Sequence, residues 1–329
     1  MTDPSHQPAG GAGGGVALMF AGQGAQYVGM GRELYDRYEA ARAVFAEAEE
    51  ASELPLRRLC FEGPEDRLAE TEVTQPAVLT VGVAALRCLE AELGRPLPVA
   101  AAAGLSLGEY TALVAAGVLS LGHAARLVRF RGRCMQEAVP LGVGSMAAVM
   151  GLDAGVLEDL CRRVSTQETR VEPANYNCPG QVVVAGHAPA VRRLVEAARA
   201  AGARRVVELA VSAPFHCRLM EPASRRFAPV LADVPMADAR VPVVSNVDGV
   251  ARTAAADLRE ALLAQVDHPV RWEACVATMR GLEPALWLEL GPGTTLSGFL
   301  RRIDRGLRSA SVEDAASLAA AVAAVGEAC

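Results

Sequence analysis

The sequence predicts an α/β protein, with a large layered core built on a mainly parallel sheet and a small ferredoxin-like subdomain inserted into it. Three observations carry this reading. The short apolar run Pro98–Ala103 ends in Gly104-Leu105-Ser106-Leu107-Gly108 and is followed by the helical pattern Glu109–Ala116, which reads as strand, sharp turn, helix. Short apolar runs alternate with helical stretches along much of the chain, as parallel strands joined by helical crossovers require. Residues 144–209 run β-α-β-β-α-β, the split ferredoxin-like order. The large subdomain is therefore assigned to 16–140 and 210–329, and the small one to 141–209.

The elements follow in order. Residues 1–15 are polar and glycine-rich without an apolar signal core, and read as a disordered tail. Val16–Ala21 is the first strand. Gly22-Gln23-Gly24-Ala25-Gln26 follows, then a helical stretch from about Tyr27. A dinucleotide loop of the form G-x-G-x-x-G would need glycine where Tyr27 stands, so that function is set aside. Helical patterns cover Glu33–Glu53, Gln75–Leu93 and Leu121–Val139, the elbow lying before the last. Ser145–Gly151 is a strand and Ala154–Val164 a helix. Val171–Asn177 and Gln181–Gly186 are strands joined by the turn-forming Cys178-Pro179-Gly180. Pro189–Ala201 is helical and Arg204–Leu209 extended. Strand signals return at Val241–Val244 and Ala285–Leu290, then glycine turns at Gly291-Pro292-Gly293, a helix from about Thr295 and a terminal helix at Ala315–Ala324.

Composition narrows the function. A net charge of −6 gives no electrostatic footprint for nucleic acid. All 32 basic residues are arginine, which a GC-rich coding sequence explains. Eight cysteines, at 60, 88, 134, 161, 178, 217, 275 and 329, form no C-x-x-C pair. They read as buried, reduced thiols of a cytoplasmic protein, with neither a disulfide frame nor a metal site. No apolar run approaches the ~18 residues of a membrane span.

The chemistry starts at Ser106. The elbow sets its hydroxyl on a strained turn at a helix N-terminus, where free N–H groups face a developing oxyanion. A serine nucleophile needs a base. His6 lies in the tail, His123 opens a helix and could cap it, His187 ends a strand ahead of Ala-Pro, and His268 precedes Pro269. His216 stands where the proline-stiffened loop Val211–Cys217 meets a helix starting near Arg218, and is the candidate base, with a purely structural role as the alternative. On the helix 121–139, Ala124, Leu127, Val128, Met135 and Ala138 form an apolar stripe, and Arg131 falls within it. An inward arginine must find an anion. That anion is either an internal carboxylate or the carboxylate of a substrate held by two parallel N–H···O bonds.

Seven motifs, Phe20-Ala21-Gly22-Gln23-Gly24-Ala25-Gln26, Gly104–Tyr110, Arg131-Gly132-Arg133-Cys134-Met135-Gln136, Ala213-Pro214-Phe215-His216, Ser245-Asn246-Val247-Asp248-Gly249, Pro269-Val270-Arg271-Trp272 and Glu289–Gly293, occur in one order from about residue 16 to 325. Together they resemble malonyl-CoA:acyl carrier protein transacylases and the acyltransferase domains of polyketide synthases. The resemblance implies an α/β-hydrolase-like core with the ferredoxin-like insert. It makes Ser106 the nucleophile, His216 its base, Gln23 and Leu107 the backbone donors to the oxyanion, and Arg131 the grip on a malonyl carboxylate. The Gln265 backbone carbonyl would orient the histidine, and Asn175 and Asn246 would line the site. The family usually has histidine where Leu105 stands, which puts turnover and strictness of selection in question. Phe215 resembles the malonyl-preferring pattern, and a ring there crowds a branched α-carbon. One methyl is worth only ~1–3 kcal/mol, so a preference is expected and not exclusion. The implied partners are malonyl-CoA and an acidic acyl carrier protein, with no metal or redox cofactor, no nucleic acid, no membrane, and a monomeric chain. Two other readings stand beside this one: a hydrolase releasing acyl groups from CoA or carrier protein with the same serine, and a non-catalytic docking partner. The motif order and the lack of an HGGG-type loop argue against an ordinary α/β-hydrolase.

Overall fold

The computed structural model describes residues 14–209, 211 and 213–328. The expected tail therefore lies outside the described residues except for Gly14 and Gly15. Among the described residues the strands are β1 (Val16–Phe20), β2 (Val99–Gly104), β3 (Gly144–Met150), β4 (Val171–Cys178), β5 (Gln181–His187), β6 (Arg205–Glu208), β7 (Val243–Val244), β8 (Ala251–Arg252), β9 (Leu286–Leu290) and β10 (Ser309–Val312). They form a six-stranded sheet in the order β10-β9-β1-β2-β7-β8 and a four-stranded sheet in the order β4-β5-β3-β6.

In the larger sheet every neighbouring pair is parallel except β7 with β8. The central strand β1 carries no polar residue because both of its faces are covered, as parallel strands demand. Val16, Leu18 and Phe20 point to the larger core, which holds residues of the helices Thr71–Leu93, Leu107–Ala115 and Leu121–Gln136. Ala17 and Met19 point the other way, against Trp272, Trp287 and Leu300. Burying each large side chain contributes about 1.5–3 kcal/mol.

The four-stranded sheet is antiparallel throughout. One face is closed by the helices Ala154–Val164 and Ala188–Ala200 through Leu157, Leu160, Val191 and Leu194. The other face presents Met146, Ala148, Val183 and Ala185 to the larger core. A cleft between the two sheets follows from this arrangement, with β2 ending at it.

Several expected boundaries move. The stretch Glu33–Glu53 is two helices, Arg32–Arg37 and Glu39–Ser52, because Tyr38 is extended (φ −118°, ψ 127°), and no helix starts at Tyr27. The apolar period runs across a one-residue break without changing phase. The helix expected from Gln75 begins one turn earlier, at Thr71, and carries Pro76 inside it. The helix at Leu121 ends at Gln136, leaving Ala138 outside. Its N-cap is the Ser120 hydroxyl, which accepts the His123 N–H at 3.2 Å, so His123 is the residue capped and not the cap. The helices Leu56–Glu62, Glu65–Leu68, Ala255–Gln265 and Trp272–Arg280, and the strands β8 and β10, were not read from the sequence; most are too short to show a period, and in Ala255–Gln265 the alanines and leucines are spread around the helix instead of forming one stripe.

The elbow depends on glycine at two positions. A Cβ added at Gly104 would stand 1.9 Å from the Gly108 carbonyl carbon, and one added at Gly108 would stand 2.1 Å from the Phe20 carbonyl oxygen. Both obstacles are backbone and cannot swing aside. We expect Gly104→Ala to cost about 2–3 kcal/mol, which lowers Tm by roughly 5 °C or more for a chain of this size. An unchanged thermal transition would show that the strand and helix do not approach this closely.

Candidate active site

Ser106 connects β2 to the Leu107–Ala115 helix with φ 53° and ψ −100°, a conformation L residues rarely adopt. Such strain costs on the order of 1–3 kcal/mol and persists only where the surroundings enforce it. Two buried amides do so here. Asn246 Oδ1 accepts the Ser106 N–H at 2.6 Å, and Asn246 Nδ2 donates to Gly104 O at 2.8 Å. Gln265 Nε2 donates to Ser106 O at 2.9 Å. Asn246 is thus fully buried beneath the turn and does not line the cavity, which corrects its expected place as a site-lining residue.

The Ser106 hydroxyl lies 2.7 Å from His216 Nε2. On the far side of the ring, His216 Nδ1 lies 2.9 Å from the backbone carbonyl of Gln265. A carbonyl only accepts, so the ring proton sits on Nδ1 and the Nε2 lone pair faces the hydroxyl. His216 itself has φ 59°, held by the loop between the two sheets. Burial first, and then the Arg131 charge, push its pKa down to about 3.

Arg131 is 1 % exposed. Its Nη1 donates to Gln75 Oε1 at 2.9 Å, and its Nη2 donates to Gln265 Oε1 at 2.7 Å and to Ser106 Oγ at 3.1 Å. The guanidinium carbon stands 5.2 Å from the Tyr110 ring centroid. Among the described residues Arg131 has no carboxylate ion-pair partner, so the internal-anion alternative finds none. Neutral amides hold the cation, and burial lowers its pKa. No carboxylate of the described residues bonds it directly, Glu109 acting on it only through space, and its charge stands 3.1 Å from the serine oxygen.

These groups open on a cavity of about 420 Å³. Of the expected residues, Gln23, Leu105, Ser106, Leu107, Arg131, Asn175, Phe215 and His216 line it, while Gln265 and Asn246 support it from behind. Apolar walls come from Met135 on the Leu121–Gln136 helix, Met146 and Val183 on the small sheet, and Phe299. Among the described residues no protein acceptor takes the N–H of Gln23 or Leu107. Both therefore remain available to an oxyanion next to the hydroxyl.

The profile of the acyl transferase domain family matches residues 18–324. The chain belongs to the acyl transferase domain family. This acyl transferase is 42% identical over 307 residues to a malonyl CoA-acyl carrier protein transacylase of Bacillus subtilis, covering 93% of the chain and 96% of the relative. It is 44% identical over 306 residues to that of Salmonella typhimurium, covering 93% and 98%. Among solved structures it resembles the malonyl-CoA:acyl carrier protein transacylase of Xanthomonas oryzae pv. oryzae, with a TM-score of 0.91, 42% identity, and 94% and 98% of the two chains covered. It also resembles a malonyl-transacylase in complex with its type II polyketide synthase acyl carrier protein, with a TM-score of 0.90, 43% identity, and 94% and 99% of the two chains covered.

Three site residues of the acyl transferase escaped sequence reading. Gln75 is a polar residue in a helix otherwise buried on nearly every side, and Asn177 lines the cavity beside Asn175. Glu109 is the single charge in the helix Leu107–Ala115 and is fully buried. A lone charge in an otherwise apolar helix was the available signal for it. Burial pushes its carboxyl up to about 7.

The depressed His216 pKa has a measurable consequence in this acyl transferase. An unfolded histidine titrates near 6.5, so the imidazole contributes stability above that pH and loses it as the pH falls toward 3. Glu109 acts in the opposite sense: its contribution is full below the unfolded value of 4.5 and is lost as pH rises through about 7. As the candidate base, His216 stays neutral through the whole mildly acidic range. We expect the pH profile of kcat/KM for serine acylation to show no acid limb near 6.5. A limb there would mean that either His216 titrates as a solvated ring or Glu109, at about 7, controls the rate, and its survival in Glu109→Gln would single out the histidine.

Proposed function

We propose that this chain moves a malonyl group from coenzyme A to the phosphopantetheine thiol of an acyl carrier protein, in fatty acid or polyketide synthesis, through a malonyl ester on Ser106. The carrying observation is the position of the Arg131 guanidinium, 3.1 Å from the nucleophile oxygen and, among the described residues, in no direct ion pair with a carboxylate. In a malonyl group one methylene separates the reacting carbonyl from the carboxylate. An anion clamp must then stand within a few ångströms of the nucleophile, and a diacid longer by one methylene would overrun it. Acetyl offers the clamp nothing.

In the first half-reaction the Ser106 oxygen bonds to the thioester carbon while its proton passes to His216 Nε2. The Gln23 and Leu107 N–H groups take the oxyanion. Collapse breaks the C–S bond, and the departing sulfur takes the proton from the imidazolium. The second half-reaction runs the same steps backwards with the carrier thiol as nucleophile. Nucleophile, base, oxyanion donors and anion clamp are all supplied by the chain. Phe215 and Leu105, both on the cavity wall, set how much bulk the α-carbon can carry. The reading includes a cytoplasmic location, supported by the unpaired, buried cysteines among the described residues. No helix of the described residues is long and apolar enough to cross a membrane.

A panel of acyl-CoAs, with intact-mass detection of the chain and of a holo carrier protein, tests this. Malonyl should appear on the chain first and on the carrier second. Steady release of free malonate in place of carrier product would identify a hydrolase, and no adduct with any acyl-CoA would end the enzymatic reading.

A further inference from the structure

The Arg131 guanidinium is oriented by two side-chain amides, and an amide can point either way round. Which end of Gln265 faces the arginine therefore needs a cause. The Gln265 NH2 group donates to Glu109 Oε2 at 2.7 Å and to Ser106 O at 2.9 Å. With its donors committed to these two acceptors, the amide must turn its oxygen to Arg131 Nη2, at 2.7 Å. The reversed amide would set N–H against N–H beside a buried cation. Glu109 Oε2 also accepts the Asn246 N–H at 3.1 Å, which ties the carboxyl to the residue under the elbow. The carboxyl thus stands one amide away from the guanidinium. It imposes an orientation without forming the ion pair that would neutralise the clamp.

We propose that Glu109 is a positioning residue for Arg131: through the side-chain amide of Gln265 it sets the direction of the guanidinium that selects a substrate carboxylate. The proposal rests on the malonyl reading above. It gives the Gln265 side chain a task separate from that of its backbone carbonyl, which faces His216.

The test compares Glu109→Ala, Glu109→Gln, Gln265→Ala and the Glu109→Ala/Gln265→Ala pair with the unaltered full chain. Three quantities are measured: the initial rates of Ser106 loading from malonyl-CoA and from acetyl-CoA, and the rate of sulfonylation by phenylmethanesulfonyl fluoride. That reagent is uncharged, so it reports on the serine and histidine without calling on the arginine. Glu109→Ala and Gln265→Ala should each lower the malonyl-to-acetyl ratio by roughly 10- to 100-fold, the scale of a small misplacement in a binding group; sulfonylation shows separately how far a loosened elbow slows the serine, and in Gln265→Ala, which also frees the Ser106 carbonyl, it should fall together with acetyl loading. Glu109→Gln should restore most of the ratio, because its amide oxygen can accept the same two N–H groups. The double variant should lose no more than either single one. If Glu109→Ala does not fold, Gln265→Ala carries the same test. An unaltered ratio in the alanine variants, equal loss of both acyl groups together with sulfonylation, or a glutamine variant as poor as alanine would each overturn the proposal. A full-length chain that does not prefer malonyl to acetyl would remove the malonyl reading, and this proposal with it. A selective parent beside equally selective variants would remove this proposal alone.

Discussion

Ser106→Ala is expected to abolish the covalent malonyl adduct and to lower transfer by on the order of 10⁵- to 10⁶-fold, the scale seen when the nucleophile of a serine–histidine pair is removed. The hydroxyl is the one atom that both His216 Nε2 and Arg131 Nη2 reach, at 2.7 and 3.1 Å. Among the described residues no other hydroxyl shares that position, so none of them substitutes for the lost bond to the acyl carbon. The fold should survive. Alanine can keep the elbow backbone, whose N–H and carbonyl remain held by Asn246 and Gln265. The partners left behind open on the cavity, where water can reach them. Intact-mass measurement after incubation with malonyl-CoA decides the matter. A malonyl adduct persisting on the alanine variant would place the nucleophile elsewhere.

Arg131→Ala should separate substrate selection from chemistry. On the malonyl reading, the substrate carboxylate would meet a cation already buried and already aimed by two amides. Without that cation the carboxylate enters a largely apolar cavity unpaired, which costs about 3–5 kcal/mol. At 1.36 kcal/mol per factor of ten, malonyl loading should fall by roughly 10²- to 10⁴-fold. Acetyl carries no charge to strand, so its loading should fall far less, and the ratio of the two should collapse. Arg131→Met, which fills more of the space without the charge, guards against reading a packing defect as a lost clamp. Equal losses for malonyl and acetyl in both variants would show that the guanidinium serves the serine and not the substrate.

How much of this was legible before folding depends on the range of the interaction involved. The elbow was legible because strand, glycine, serine, glycine and helix are consecutive, and the close backbone approach at Gly104 and Gly108 is a local demand. The inward turn of Arg131 was legible because helical periodicity needs only the helix itself. Its partners were not. Gln75 lies 56 residues away and Gln265 lies 134. The seat of Asn246, 140 residues from Ser106, was placed on the wrong side of the turn, in the cavity instead of beneath it. The bond from Gln265 to Glu109 spans 156 residues.

From order and periodicity alone came an α/β chain with a second, antiparallel layer, a serine on a strained turn and an arginine facing inward. These are properties of neighbours along the chain, set by sterics and by which face of an element is apolar. Whether that arginine meets a carboxylate or is left charged beside the serine was decided only when helices and strands distant in sequence packed together. A buried cation is silent about its partners until the surrounding dipoles are in place, and those dipoles arrive from two helices and the Ser106 turn.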